Sequence, residues 1–249
     1  MKKTLLLLVA IFGSFMMKAQ VNIPPQEIHY DVHYHWGLID VMIAHGNVTM
    51  ETEGNQFRAT LDGNSIPWDG RIFCVSDTLH ATMQPASGLS RETVTYENGW
   101  YLKPKVTAYR TSGFDPSNPA NYKNIKGEGT LDASDDTMEA INVTADMLGM
   151  FYYFKEMDFE SMTPGSSVTI PITVVGGDPQ RVVVTYNGKS NYSVGGTTYP
   201  TYSVNFEYSY KGAMSGYPVK AEVSVSSRLP LLLSASLPAG HVEMIHNPE

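Results

Sequence analysis

Four residues near the start of the chain, His29, Asp31, His33 and His35, alternate with apolar neighbours and form the best-looking chemical constellation in the sequence. In an extended strand, side chains at i and i+2 leave from the same face. Imidazoles placed side by side can share a metal ion, with a carboxylate nearby as a further ligand. An antiparallel strand with one solvated and one packed face produces the same pattern without any metal. The spacing therefore admits two readings, a metal-dependent enzyme using His29, His33 and His35, and a plain polar face; the polar face is the commoner outcome. A second polar group, Asp132, Asp135, Asp136 and Glu139, offers hard oxygens suited to calcium. It lacks the spaced ligands and central glycine of a calcium loop and reads as a hairpin turn.

Local catalytic signatures are missing from the sequence. It contains no G-x-S-x-G, S-x-x-K, H-E-x-x-H, C-x-x-C, Walker loop or G-x-G-x-x-G. No catalytic residue, bound metal or cofactor is assigned. The single cysteine, Cys74, sits between Phe73 and Val75, excludes a disulfide framework and reads as buried. Asp77-Thr78-Leu79 and Asp136-Thr137-Met138 resemble the loose acceptor motif for O-glycosylation of exported bacterial proteins, a three-residue pattern of low specificity.

Methionine and aromatic residues carry more information. Five of 13 Met fall between positions 138 and 162, interleaved with Phe151, Tyr152, Tyr153, Phe154 and Phe159. Methionine is flexible and polarisable, which suits either an adaptable apolar pocket or ordinary core packing. As contacts to an apolar ligand, the residues chosen are Met147, Met150, Phe151 and Phe154, joined by Tyr34 and Trp36 from the first strand.

Positioning these groups is the work of strands. Alternation predicts a strand over 27–36, with Ile28, Tyr30, Val32, Tyr34 and Trp36 on an apolar face. A second strand follows the Gly37 bend over 38–51. Others are predicted at 56–62, 91–96, 100–109, 126–133, 138–143, 168–175, 181–186, 198–209, 219–227 and 241–246, with turns at Asp135-Asp136, Gly176-Gly177 and Asn187-Gly188. Residues 111–124, rich in Gly, Pro and Asn, read as a long surface loop. Helical spacing appears over 144–157, where Thr144 is a candidate N-cap, Asp146 falls in the first turn and Gly149 lies in the interior. A second, short helix is expected at 67–73. The fold expected is all-β with one or two short helices: a single curved antiparallel sheet forming a half-barrel or sandwich, helix 144–157 on its concave side.

Composition narrows the function classes. Seventeen Lys+Arg against 25 Asp+Glu give a net charge of −8 over 249 residues. Phosphate neutralisation needs clustered cations, so nucleic-acid binding is not expected. An apolar content of 42% excludes disorder. Residues 1–20 read as a signal peptide: Lys2 and Lys3, an apolar run from Leu5 to Phe15, then Lys18-Ala19-Gln20. No later apolar run is long enough to cross a membrane as a helix. Residues 21–249 then form one domain, more acidic than the whole because the leader takes away three lysines. The junction resembles those of Gram-negative bacteria of the Bacteroidetes type, which implies the periplasm.

Taken in order, several segments resemble the DUF3108 family of exported bacterial proteins. Glu27-Ile28-His29-Tyr30-Asp31-Val32-His33-Tyr34-His35-Trp36-Gly37-Leu38-Ile39 resembles its opening acidic residue, alternating aromatic strand and glycine, and Ala44-His45-Gly46 its next strand. Asp146-Met147-Leu148-Gly149-Met150-Phe151-Tyr152-Tyr153-Phe154-Lys155 resembles its Tyr-Tyr helix, with Lys155 at the basic position. Met162-Thr163-Pro164-Gly165 and Ile170-Pro171-Ile172 resemble the glycine and strand that follow. Arg228-Leu229-Pro230-Leu231 and Ala239-Gly240-His241-Val242 resemble its closing strands. The chain departs at Val225-Ser226-Ser227, where an aromatic and an Asp pair are expected. The resemblance supplies no catalytic residues. A looser likeness to periplasmic lipoprotein carriers of the LolA/LolB type implies an apolar hollow for acyl chains. Two kinds of partner are thus expected, an apolar small molecule or lipid and an envelope protein, the latter met by the Tyr-rich stretch 199–210.

Overall fold

The structure is a computed structural model, and it describes residues 22–54, 56–66, 75–84, 89–99, 105–111, 121–127, 135–139, 148–173, 179–210, 213–214 and 216–248. The expected signal peptide, Cys74, Met147, the short helix at 67–73 and the Gly176-Gly177 turn lie outside the described residues.

Strands dominate. They are β1 (Gln26–Trp36), β2 (Ile39–Glu53), β3 (Gln56–Ser65), β4 (Val75–Gln84), β5 (Leu89–Gly99), β6 (Lys105–Thr111), β7 (Asn121–Gly127) and β8 (Asp135–Glu139). After the helix α1 (Gly149–Glu156) come β9 (Ser167–Thr173), β10 (Pro179–Val194), β11 (Thr197–Tyr210), β12 (Ala213–Met214), β13 (Val219–Ser224), β14 (Pro230–Ser236) and β15 (His241–His246). All belong to one sheet in the order β8-β7-β6-β5-β4-β3-β2-β1-β15-β14-β13-β11-β10-β9, with β12 on β11. Each described pairing is antiparallel. The sheet is two meanders joined where β1 meets β15, and among the described residues no pairing links β8 to β9. It is a curved, unclosed sheet of the half-barrel kind expected.

The core explains the curvature. Ile28, Tyr30, Val48, Met50, Phe57, Ala59 and Ala81 come from one meander, and Val182, Val184, Tyr202, Val204, Phe206, Ala221 and Val223 from the other. Helix α1 lies between them and touches both. Phe151 meets Tyr30 with ring centroids 6.4 Å apart, Tyr152 meets Phe57 at 5.4 Å, and Phe154 meets Phe206 at 6.3 Å. Eight residues make too short a helix to stand alone in water. Burial of Met150, Phe151, Tyr152 and Phe154 holds it in place. Lys155 adds a bond from its Nζ to the carbonyl of Ser227, 3.0 Å away.

Several expectations need correction. The helix begins at Gly149, so Leu148 and not Thr144 takes the N-cap position, without a side-chain bond. Gly149 is thus the first helical residue rather than an interior one, where its missing side chain costs less. Asn187-Gly188 is not a hairpin turn. It is a register shift inside β10, whose hairpin closes at Gly195-Gly196 instead. Asp135-Asp136 begins β8 rather than a turn. Tyr202 and Phe206 of the Tyr-rich strand are core residues and offer no partner surface.

Candidate functional site

The β1–β2 hairpin and the β14–β15 turn stand side by side at one end of the sheet. On β1, alternation places Ile28 and Tyr30 in the core and leaves His29 exposed. β15 pairs so that His35 is opposite His241 and His33 opposite Glu243. On the other flank, the β1–β2 ladder shifts register between Val32 and His33, pairing Val32 with Ala44 but His33 with Met42. Ile43 is the extra residue. One extra residue exchanges the faces of everything beyond it. Without the bulge Asp40 would share the core face with Gly46 and Val48; with it, Asp40 stands opposite His35 on the imidazole face.

The outcome is a compact polar cluster on the outer face. The rings of His35 and His241 stack with centroids 4.5 Å apart and planes 10° from parallel. Both present Nε2 to one carboxylate: His35 lies 3.4 Å from Glu243 Oε2, and His241 lies 3.7 Å from Glu243 Oε1. Asp40 Oδ1 approaches Nδ1 of His33 at 3.1 Å and Nδ1 of His35 at 3.5 Å. The side chains of His35 and Glu243 are 22% and 24% exposed, well shielded for a surface strand. His35 Nε2 is itself buried and makes no hydrogen bond.

The inner face of the same end is apolar. Tyr34, Val41 and Val242 are half-buried there, and the Tyr34 hydroxyl donates to the carbonyl of Ala239. Trp36 is 59% exposed, Leu38 is fully exposed at the turn, and Ile39 and Leu237 are exposed beside them. Helix α1 meets β1 at Tyr30, through Phe151. At the opposite end of β1 an open groove of about 520 Å³ is lined by Gln26, Glu27, Met50, Glu51, Arg58 and neighbours. Its charged rim does not suit a hydrocarbon chain.

Residues 29–245 match the sequence profile of a family described as "Protein of unknown function (DUF3108)". The chain belongs to the DUF3108 family. None of the curated proteins compared matches it. A crystal structure of a beta-barrel-like protein of the domain of unknown function DUF1849, from Brucella abortus, is similar with a TM-score of 0.61. The likeness covers 91% of this chain and 97% of that one at 9% identity, so it speaks for the fold alone.

In this DUF3108 protein the five candidate apolar contacts among the described residues separate into two places. Met150, Phe151 and Phe154 are buried in the core between the meanders, while Tyr34 and Trp36 lie together on the open rim. The histidines of β1 separate too. His33 and His35 join the cluster, but His29 lies farther along the same face, 3.9 Å from Glu27, and Asp31 instead pairs with His45 at 2.8 Å. Asp40, His241 and Glu243 were not anticipated. The alternation His241-Val242-Glu243 was a visible signal, but nothing local tied it to a strand some 200 residues earlier. On the proposed glycosylation motif, the Thr78 hydroxyl already donates to Asp62 at 2.7 Å from within β4.

Proposed function

We propose that this DUF3108 protein is a non-catalytic binding protein exported to the periplasm, and that it engages envelope lipid through the tip of the β1–β2 hairpin. The observation that carries the reading is the exposure of Trp36, Leu38 and Ile39 on one hairpin, with Leu237 on the adjoining turn. Large apolar side chains grouped at a rim in this way mark a binding surface. Indole and aliphatic groups side by side suit the interface between headgroups and acyl chains. Each buried aliphatic side chain contributes about 1.5–3 kcal/mol, so the tip supports weak, reversible attachment. The aromatic helix serves as the wedge that sets the sheet's curvature, and the rim rather than the helix provides the contact. A net charge of −8 opposes anionic surfaces and favours zwitterionic lipid.

Co-sedimentation with phosphatidylethanolamine–phosphatidylcholine vesicles tests this. The wild-type protein is expected to pellet with the vesicles, and the Leu38→Asp/Ile39→Asp double variant to remain in the supernatant with an unchanged melting temperature. Pelleting that survives the double substitution, or no pelleting of the wild type, overturns the reading.

A further inference from the structure

The geometry points to a binding site for a borderline divalent transition metal, zinc or copper(II), formed by His35, His241 and Glu243. One atom of each residue can be chosen so that all three lie within 4.8 Å of one another. Ligands about 2.0–2.2 Å from a tetrahedral zinc ion are themselves separated by about 3.3–3.6 Å. His35 Nε2 and Glu243 Oε2, at 3.4 Å, already have that spacing, and the 3.7 Å from His241 Nε2 to Glu243 Oε1 closes with a small side-chain rotation.

The surroundings favour an ion over a simple ion pair. The near-parallel stack directs both Nε2 atoms the same way, toward Glu243. A neutral imidazole protonated on one ring nitrogen offers a lone pair on the other, and the two rings stack 4.5 Å apart with Nε2 of each on the Glu243 side. His35 Nε2 is buried and makes no hydrogen bond, and the polar group facing it is the Glu243 carboxylate 3.4 Å away, which a cation between them would satisfy. Asp40, brought to this face by the bulge, stands beside Nδ1 of His35 at 3.5 Å. A carboxylate on the second ring nitrogen keeps the proton there and turns Nε2 toward a metal. Two imidazoles and one carboxylate suit zinc or copper(II) better than the oxygen-seeking calcium or magnesium. Three protein ligands leave a fourth position open to water or to a group on a partner. The site lies on the face opposite the apolar rim, so its occupancy is independent of lipid attachment.

The test is isothermal titration of zinc sulfate into the chelator-stripped mature protein carrying no histidine tag. One ion per chain is expected. His35→Ala and His241→Gln should each weaken binding by about tenfold or more, and Asp40→Asn by a smaller factor. His29→Ala and His45→Ala change histidines on the same face but outside the cluster, and should leave affinity unchanged. Cobalt(II) titrated into the same protein should give the intense visible bands of a tetrahedral ion, lost in His241→Gln. Thermal melts of the metal-free variants establish that they are folded. No uptake by the wild type, uptake by folded His241→Gln equal to wild type, or a loss shared equally by His29→Ala overturns the proposal.

Discussion

Gly240 packs so closely on the end of β1 that a Cβ at position 240 would overlap the carbonyl oxygen of His35. The same Cβ would stand 3.4 Å from the Cα of Trp36, and Gly240 has a φ of +94°, a region other residues rarely enter. This one glycine therefore lets the β14–β15 turn lie flat against the hairpin, which brings His241 beside His35. Gly240→Ala combines steric overlap with an unfavourable φ, and is expected to destabilise the protein by more than about 2 kcal/mol in urea unfolding. It should also push the two strands apart at His35 and His241, so a folded Gly240→Ala protein that keeps wild-type stability contradicts the packing described.

Tyr30 joins the two meanders through a buried hydrogen bond, its hydroxyl donating to the carbonyl of Pro230 at 3.0 Å. Tyr30→Phe keeps the ring against Phe151 but strands that carbonyl in the core. The expected loss is about 1–3 kcal/mol by chemical denaturation, with little change in the denaturant slope. Burial also pushes the Tyr30 phenol well above its ordinary range. Its folded pKa exceeds the unfolded value of about 10, so above that pH the unfolded chain sheds a proton that the folded chain retains. The contribution is complete below about pH 10 and falls beyond it. Tyr30→Phe should therefore show a shallower alkaline decline than wild type. An identical slope would mean that the phenol ionises freely in the folded protein.

Which parts of this arrangement could be read from the residues follows from how local each one is. The alternation of Ile28 and Tyr30 with His29 and Asp31 is local, and it assigns their faces correctly. The helix is legible from aromatic and Met spacing, though that spacing starts it at Thr144 rather than at Gly149. Alternation does not pick out β4, nor β14, which begins at Pro230, a residue that weakens strand assignment, and β7 begins inside the 111–124 stretch that reads as a loop. The Ile43 bulge carries no glycine or turn signal, yet it decides which face Asp40 occupies. Two of the five residues of the polar cluster, His241 and Glu243, come from β15, whose contact with β1 depends on the whole intervening chain. His33 and His35 were thus legible as candidates, and their partners were not.

Arg228 fastens the chain leaving α1 to the sheet. Its guanidinium lies 4.6 Å from the centroid of Tyr202 and 5.5 Å from that of Phe159, two rings themselves stacked at 4.7 Å. Arg228 also holds a left-handed φ of +59°, a strain of about 1–2 kcal/mol for a residue with a Cβ. Arg228→Ala keeps the strain and loses the stack, while Arg228→Gly loses both. Arg228→Ala should be less stable than wild type, and the glycine variant more stable than the alanine variant by about 1 kcal/mol. Urea midpoints decide the order; alanine equal to glycine would show that the backbone is unstrained there.

His246 should make the protein sensitive to mild acid. Burial lowers its pKa; its ring-nitrogen contact with the His29 carbonyl, at 3.0 Å, acts in the opposite direction but is the smaller effect. Because the folded pKa is depressed, the unfolded chain takes up a proton at a pH where the folded chain still refuses it. The contribution to stability is complete above the unfolded value of about 6.5 and declines as pH falls below it. Asparagine retains a donor for the His29 carbonyl but has no titratable ring. The urea midpoint of wild type should thus drop further between pH 7.5 and 5.5 than that of His246→Asn. Proton NMR provides the direct measurement: the His246 ring signal is expected to titrate below the ordinary histidine value. A titration at or above that value would place the ring in water and remove the basis for the acid effect.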